Sequence, residues 1–296
     1  MAASDIWLVG DELACRTAQE WAQEHSFAVS VTMLAASDLA RCAADPSAGP
    51  RGPEPWLISV NSTAIIARAV LARFEGRAVN IHPGRLPDFG GLYAVQWAIR
   101  LGESSTAATA HFMTETVDAG DVIYAAPVPI SPHDTGLSAW LRCLRAQAAV
   151  LKLLLTDIAT GRELPRVRQD LSRRRCFKAA EALGDQLPSD LHAVAAERWV
   201  RAGNYQPLSC PTYRPTLVIS SPRLTLRLDE VEVSDCGAAM DLAPGGARAV
   251  DGKLFVGCAA GSALVLKRAR VVESAALPSD WSRAVGGVAD GKASRQ

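Results

Sequence analysis

The run DIWLVG, residues 5–10, is apolar and ends in glycine, and together with the next two segments it narrows the fold. It reads as a short buried strand. ELACRTAQEWAQEH comes next and places Leu13, Ala14, Thr17, Ala18 and Trp21 on one helical face. FAVSVTML then returns to strand composition. A strand, a helix and a strand at this spacing form a crossover unit, so the two strands are parallel and the class is α/β. Hydrophobic residues make up 49% of the 296-residue chain, enough for a well-buried core.

The pattern continues. A Pro/Gly-rich connection, ADPSAGPRGPEP, leads to WLISV (56–60), another buried strand. TAIIARAVLARF reads as helix after its first few residues. RAVNIH is a strand that runs into a turn, and AVQWAIRLGE is a helix closed by Gly102. TAATAHFM and DVIYAAPVPI read as strands, the two prolines of the second placing it at an edge or a strand end. Residues 136–160 form a long amphipathic helix stopped by Gly161. Composition then turns polar and charged over 163–190. LHAVAAERWVRAG is a short helix, and from Pro215 several strand-like runs succeed it, with Asp251-Gly252 as one of their turns. The expected architecture is a Rossmann-like, mostly parallel sheet domain over 1–165 and a linker over 166–188. A helix plus small β-barrel is expected over 189–276, with a flexible tail over 277–296.

Charge and cysteine usage exclude several classes. The 31 basic and 31 acidic residues balance, so the whole chain carries no electrostatic footprint for nucleic acid. The local run RRRC (173–176) reads as a solvated helix end or linker. Seven cysteines, with no C-x-x-C pair among them, argue against a disulfide framework and a structural zinc site. No stretch reaches about 18 uninterrupted apolar residues, and no basic region precedes an apolar run at the start. The expectation is a cytoplasmic protein with no membrane partner and no metal.

Chemistry gathers in VNIHPGRLPDFGG (79–91). Asn80 and His82 are two apart on one strand, so they share a face. The Pro/Gly-rich turn stops that strand at its carboxyl end, where α/β sheets bind ligands. A second turn, ETVDAGD (115–121), also comes after a strand and carries Asp118. An amide donor, an imidazole and a carboxylate can stabilise an oxyanion and move a proton. The bland alternative is a structural histidine at a strand end, with Asn and Asp bonding their local backbone. The residues alone leave both open. His82, His111 and Asp118 lack a recognisable metal-ligand spacing.

The two motifs resemble those of the 10-formyltetrahydrofolate-dependent formyltransferases. That family carries Asn-x-His-Pro-Ser-Leu-Leu-Pro and, downstream, Asp-(Thr/Ala)-Gly-Asp. Here they read NIHPGRLP and DAGD, with 36 positions from His82 to Asp118 and GGLYAVQWAIRLGE between them. The resemblance implies a catalytic set of Asn80, His82 and Asp118: Asn80 on the formyl oxygen, His82 as proton carrier, and Asp118 ordering water and tuning the histidine. It implies 10-formyltetrahydrofolate as formyl donor, its pterin between Ala64, Ile65 and Ile66 on one loop and Met113, Glu115 and Val117 on another. Burial of Ile65 and Ile66 on a helix is the competing expectation.

The sequence departs from that pattern at Gly84-Arg85, where the family has Ser-Leu, and at Asp88. These departures point to the acceptor side, with Arg85 and Tyr93 as candidate substrate contacts. The C-terminal part resembles the small open barrel, OB-like, of methionyl-tRNA and amino-sugar formyltransferases. No long basic insertion stands between FAVSVTML and WLISV, which argues against tRNA. The expected function is transfer of formyl to the primary amine of a small metabolite, such as an amino acid, a carrier-bound amine or a secondary metabolite. The alternatives are a nucleotide-linked amino-sugar formyltransferase, a methionyl-tRNA formyltransferase, a formyltetrahydrofolate hydrolase and a non-catalytic folate-binding protein. The C-terminal strands are candidates for pairing between chains, so a homodimer is one expectation.

Overall fold

The structure is a computed structural model that describes residues 4–25, 27, 29–45, 54–178, 184–208, 210, 213–219, 224–234 and 241–274. The expected tail over 277–296 lies outside them, as does Cys236. The described residues fall into two units. One takes its residues from 1–95, 105–129 and 140–179, the other from 96–104, 130–139 and 180–296.

The first unit has the expected alternation. β1 (Ser4–Gly10), α1 (Glu12–Glu24), β2 (Val29–Leu34), β3 (Trp56–Val60) and β4 (Ala78–His82) build a sheet that β6 (Ser105–Phe112) and β7 (Val122–Pro129) complete. Its order is β2-β1-β3-β4-β6-β7. The first four strands pair in parallel, whereas β6 and β7 are antiparallel to their neighbours. The proline-bearing β7 is the edge strand, where a missing N–H does not break a ladder.

Period-two alternation assigns each side chain of the sheet to a face. Ile6, Leu8, Ile58, Val60, Val79, Ile81, Ala108 and Ala110 pack on Ala14, Ala18 and Trp21 of α1. Val150, Leu151, Leu154, Leu155 and Ile158 of the long helix α5 (Gly136–Ala159) cover the same face. The Trp21 indole N–H also donates to Thr156 Oγ1 across these helices, at 2.9 Å. Each fully buried aliphatic side chain contributes about 1.5–3 kcal/mol. The opposite face holds Val9, Leu57 and Ala78 against Leu39, Cys42, Val70 and Phe74. Asn80 and His82 alternate with Val79 and Ile81, so they lie on this second face.

Two stretches differ from the sequence expectation. Helix α2 (Ala36–Ala44) stands just before the Pro/Gly-rich connection, in a stretch that the sequence pattern leaves unassigned. Residues 61–67 are not helical, and helix α3 spans only Arg68–Leu71 before a 3-10 turn at Ala72–Phe74. Ile65 is 80% exposed as a result, which removes helix burial as its explanation.

A two-stranded parallel ribbon links β5 (Gly90–Gly91) to β8 (Cys176–Phe177). It draws residues 166–178, expected as the start of a linker, into the first unit. Gly91 makes the ribbon possible. Its φ is +80°, and a Cβ there would stand 2.2 Å from Phe177 O and 2.7 Å from Phe177 N. Glycine alone combines that backbone angle with that approach.

The second unit holds helices α4 (Ala94–Arg100), from Gln96 on, and α6 (Ala193–Ala202), with an antiparallel sheet ordered β11-β12-β13-β10-β9. Its strands are β9 (Thr216–Ile219), β10 (Leu224–Ser234), β11 (Ala247–Val250), β12 (Lys253–Gly257) and β13 (Ala263–Ser274). β11 and β12 form a hairpin through Asp251 and Gly252, both at positive φ, as the Asp-Gly pair requires. Ala196, Trp199 and Val200 of α6 pack on Leu226, Leu228, Leu254, Val256, Leu264 and Leu266. Among the described residues β9 and β11 are the outermost strands of this sheet and do not pair with each other, so the expected barrel is an antiparallel half-barrel here.

Replacing Gly91 with alanine forces either the β5–β8 ribbon or the backbone angle to give way. The expected loss is about 1–3 kcal/mol, read from urea unfolding. A G91A protein of unchanged stability shows that the ribbon does not need glycine.

Candidate active site

The site is assembled on the second face of the sheet, around the end of β4. Antiparallel pairing sets Asn80 opposite His111 of β6, and His82 opposite Thr109. Directly opposed residues share a face, so Asn80, His82 and His111 converge. Asp118, in the turn after β6, closes the group. Asn80 Nδ2 donates to Asp118 Oδ1 at 3.4 Å and lies 3.2 Å from His111 Nε2. His111 Nε2 is 3.3 Å from Asp118 Oδ1, and His82 Nδ1 is 3.6 Å from Asp118 Oδ2. The backbone N–H of Gly91 donates to Asp118 Oδ2 at 2.7 Å.

His82 is buried, and its Nε2 bonds the carbonyl of Phe89 at 2.6 Å. A carbonyl only accepts, so Nε2 carries the hydrogen and the neutral ring keeps its lone pair on Nδ1. That lone pair faces Asp118. Gly84 makes the contact possible: a Cβ on it would stand 2.3 Å from Phe89 O and 2.6 Å from His82 Nε2. Thr109 Oγ1 donates to Gly84 O at 2.7 Å and holds the turn.

Burial lowers the His82 pKa below the usual histidine value. The Asp118 charge and the Phe89 carbonyl oppose that shift without cancelling it. Burial pushes the Asp118 carboxyl up, but the His111 hydrogen bond, the nearby His82 and the Gly91 N–H outweigh it. They hold the carboxyl well below the ordinary carboxylate range, so Asp118 is ionised at neutral pH.

The polar segment 166–178 borders this cluster. The side-chain amide of Gln169 bonds the backbone of the Asp118 turn, and Arg174 Nη2 donates to Val117 O at 2.9 Å. Arg173 bonds both Asp88 oxygens, each at 2.9 Å. The RRRC run is thus tied to the loops of the site at two of its arginines.

The remaining sequence candidates divide. Ala64, Ile66 and Met113 pack at the margin of the second-face core, while Ile65 and Val117 are exposed. Arg68 and Glu115 join their two loops by a 3.0 Å ion pair that is solvent-exposed and contributes little energy. Arg85, a candidate substrate contact, is turned into its own loop. It bonds Ser105 O at 3.2 Å and Asp88 at 3.4 Å, with its guanidinium 5.5 Å from the Phe89 ring centre. Tyr93 is half-buried, with a φ of +63° that a bulky residue rarely adopts. The sequence does not single out His111 or Gln169 as parts of a catalytic group. Only strand register brings His111 opposite Asn80, and nothing local distinguishes Gln169. Among the described residues no group of three His, Cys, Asp or Glu side chains is arranged to hold a metal.

Comparison with known proteins bears on this geometry. Residues 23–153 match the family described as formyl transferase. The chain carries a formyl transferase domain. Over 90 residues it is 36% identical to a phosphoribosylglycinamide formyltransferase of Haemophilus influenzae, covering 30% of this chain and 42% of that one. Over 138 residues it is 32% identical to a methionyl-tRNA formyltransferase of Synechococcus, covering 47% and 42%. The chain therefore spans less than half the length of these curated relatives. Its fold is shared more widely. An N-formyltransferase of Helicobacter canadensis, solved with folinic acid and dTDP-3-aminofucose, superposes with a TM-score of 0.65 at 14% identity, covering 88% of this chain and 98% of that one.

The lowered His82 pKa has a consequence for stability. Above about pH 6.5 the ring is neutral in both folded and unfolded chains. As pH falls below that value, the unfolded chain takes up a proton that the folded chain refuses, so stability is lost. Asp118 acts in the same direction, but only below about pH 4. His82→Asn removes the first contribution. Its urea-unfolding free energy should fall less steeply between pH 6.5 and 5, by up to about 1.4 kcal/mol per pH unit. Parallel slopes for the two proteins mean that His82 binds its proton equally well in both states.

Proposed function

We propose that this chain is an N-formyltransferase that moves a formyl group from 10-formyltetrahydrofolate to the primary amine of a small metabolite. The observation that carries the reading is the convergence of Asn80, His82 and Asp118 in a formyl transferase domain. The donor supplies an activated formyl group. The loops after β3 and β6 suit its flat ring, with Ile65 and Val117 exposed as apolar walls and Ala64, Ile66 and Met113 behind them.

Each residue of the group has its own task. The attacking amine must be neutral, and it loses a proton as its new C–N bond forms and the formyl–donor bond breaks. His82 Nδ1 has the free lone pair to take that proton, and the Asp118 carboxylate stabilises the resulting imidazolium. Asn80 supplies amide hydrogens for the negative charge that develops on the formyl oxygen. Its present contacts are 3.2 and 3.4 Å long, weak enough to yield to an oxyanion at about 2.9 Å. His82 can then return the proton to the departing donor nitrogen.

A nucleotide-linked amino sugar is the second reading of the acceptor. It is supported by the likeness in fold to the Helicobacter canadensis protein, which runs nearly the full length of that chain. In this reading the half-barrel of the second unit is the counterpart of an OB-like module shared with such proteins. The near-zero charge of the chain speaks against tRNA.

The test is turnover. The formyl donor is mixed with a panel of amino acids, dTDP- and UDP-amino sugars and a no-amine control, and products are read by mass spectrometry. One formylated amine is expected. Formate without any amine identifies a hydrolase instead, and no turnover with any amine leaves a folate-binding role. Asn80→Ala should lower kcat roughly 100–1000-fold, and His82→Ala or Asp118→Ala roughly 100–10,000-fold, with the fold intact by circular dichroism. Near-normal turnover in all three variants removes the assigned roles. In the wild type, rate should fall in acid as His82 protonates. Because burial lowers its pKa, that limb should be centred below about pH 6.5 in a kcat/KM profile. A limb centred above that value contradicts the buried base.

A further inference from the structure

Asp118 sits in the left-handed backbone region, φ +55°, which aspartate tolerates better than most residues and for which it has added support here. The support comes from a distant part of the chain. Gln169 Nε2 donates to Asp118 O at 3.1 Å and to Gly120 O at 2.6 Å. Both amide hydrogens of one side chain are thus spent on the two carbonyls that flank Ala119. Gln169 is 8% exposed, and its Oε1 is buried without a hydrogen-bond partner among the described residues. A methionine would fill the same volume without stranding an acceptor, so packing alone does not account for an amide here. What this side chain supplies is a pair of donors in fixed geometry.

The turn that these donors hold determines where the carboxylate points. Asp118 Oδ2 must meet the Gly91 N–H at 2.7 Å and His82 Nδ1 at 3.6 Å while Oδ1 meets His111. We propose that Gln169 is a positioning residue of this site, clamping the 118–120 turn so that the Asp118 carboxylate stays between His82 and His111. The proposal rests on the formyl-transfer reading for its catalytic consequence, but the clamp itself is a matter of structure.

The groups that face His82 are Asp118, His111 on β6 and the Phe89 carbonyl; Arg174 approaches the same turn through Val117 O. Of these, only Asp118 raises the His82 pKa by its charge. A carboxylate that drifts away therefore lets the ring titrate at lower pH.

The decisive variant is Gln169→Met, which keeps the length and loses both donors. Gln169→Glu is its companion, since it turns a carboxylate towards two carbonyl oxygens. Urea unfolding first identifies which of the two is folded. NMR titration of the His82 ring is then compared with wild type, together with kcat and KM for the donor. The clamp predicts a His82 titration displaced to lower pH, and kcat lowered by about tenfold or more with KM changed much less. A residue that merely packs would leave the His82 titration where it is. An unmoved titration with wild-type kcat in either folded variant overturns the proposal. If the wild type transfers no formyl group at all, the functional reading fails, while the NMR comparison still judges the clamp.

Discussion

Everything in the first unit that bears on chemistry is arranged around one buried charge, the Asp118 carboxylate. A carboxylate out of water is costly unless several groups compensate it. Here the compensation arrives from separate parts of the chain: Asn80 on β4, the Gly91 N–H on β5 and His111 on β6. None of them is a sequence neighbour of Asp118. The ionised site therefore exists only in the closed fold, and the ribbon that places Gly91 is part of the electrostatics as much as of the architecture. The same burial that makes the carboxylate expensive keeps His82 neutral and ready to accept a proton.

Much of this is legible in the sequence because it depends on short-range rules. The two-residue spacing of Asn80 and His82 implies a shared face, and the glycine-rich turns after β4 and β6 imply strand ends. The prolines of β7 imply an edge or a strand end, and β7 lies at an edge of the sheet. What escapes depends on pairing between distant segments. His111 looks like one residue of an alternating strand, and becomes a partner of Asn80 only through the β4–β6 register. Gln169 lies in polar, charged sequence that has the composition of a linker, yet its amide faces two backbone carbonyls 49 and 51 residues away. Helix α2 is hidden beside its Pro/Gly-rich neighbour, and the helix expected within TAIIARAVLARF shrinks to Arg68–Leu71 and a 3-10 turn. Both differences come from local composition competing with tertiary packing.

Segment 166–178 illustrates how composition can mislead about role. Its arginines and aspartate suggest solvent, and several of its side chains are exposed. Its backbone, however, is committed. Arg175 N donates to Pro87 O and Gly90 N to Arg175 O, while Leu92 N donates to Phe177 O. Arg173 adds a contact to both oxygens of Asp88, which Arg85 also approaches. Arg85 and Asp88 thus stabilise the loop between β4 and β5, and their divergence from the family motif is explained by that loop without any ligand.

Gly84 belongs to a different category from its neighbours Arg85 and Asp88. The family motif has serine at this position, and here any Cβ would intrude on both Phe89 O and His82 Nε2. The 2.6 Å bond between those two groups commits the Nε2 hydrogen to the backbone and leaves the lone pair on Nδ1, towards Asp118. A side chain at residue 84 would have to move the Phe89 carbonyl or rotate the imidazole. Either movement disturbs the hydrogen bond that fixes which ring nitrogen carries the hydrogen. The departure at Gly84 therefore bears on the orientation of His82, the base of the proposed reaction.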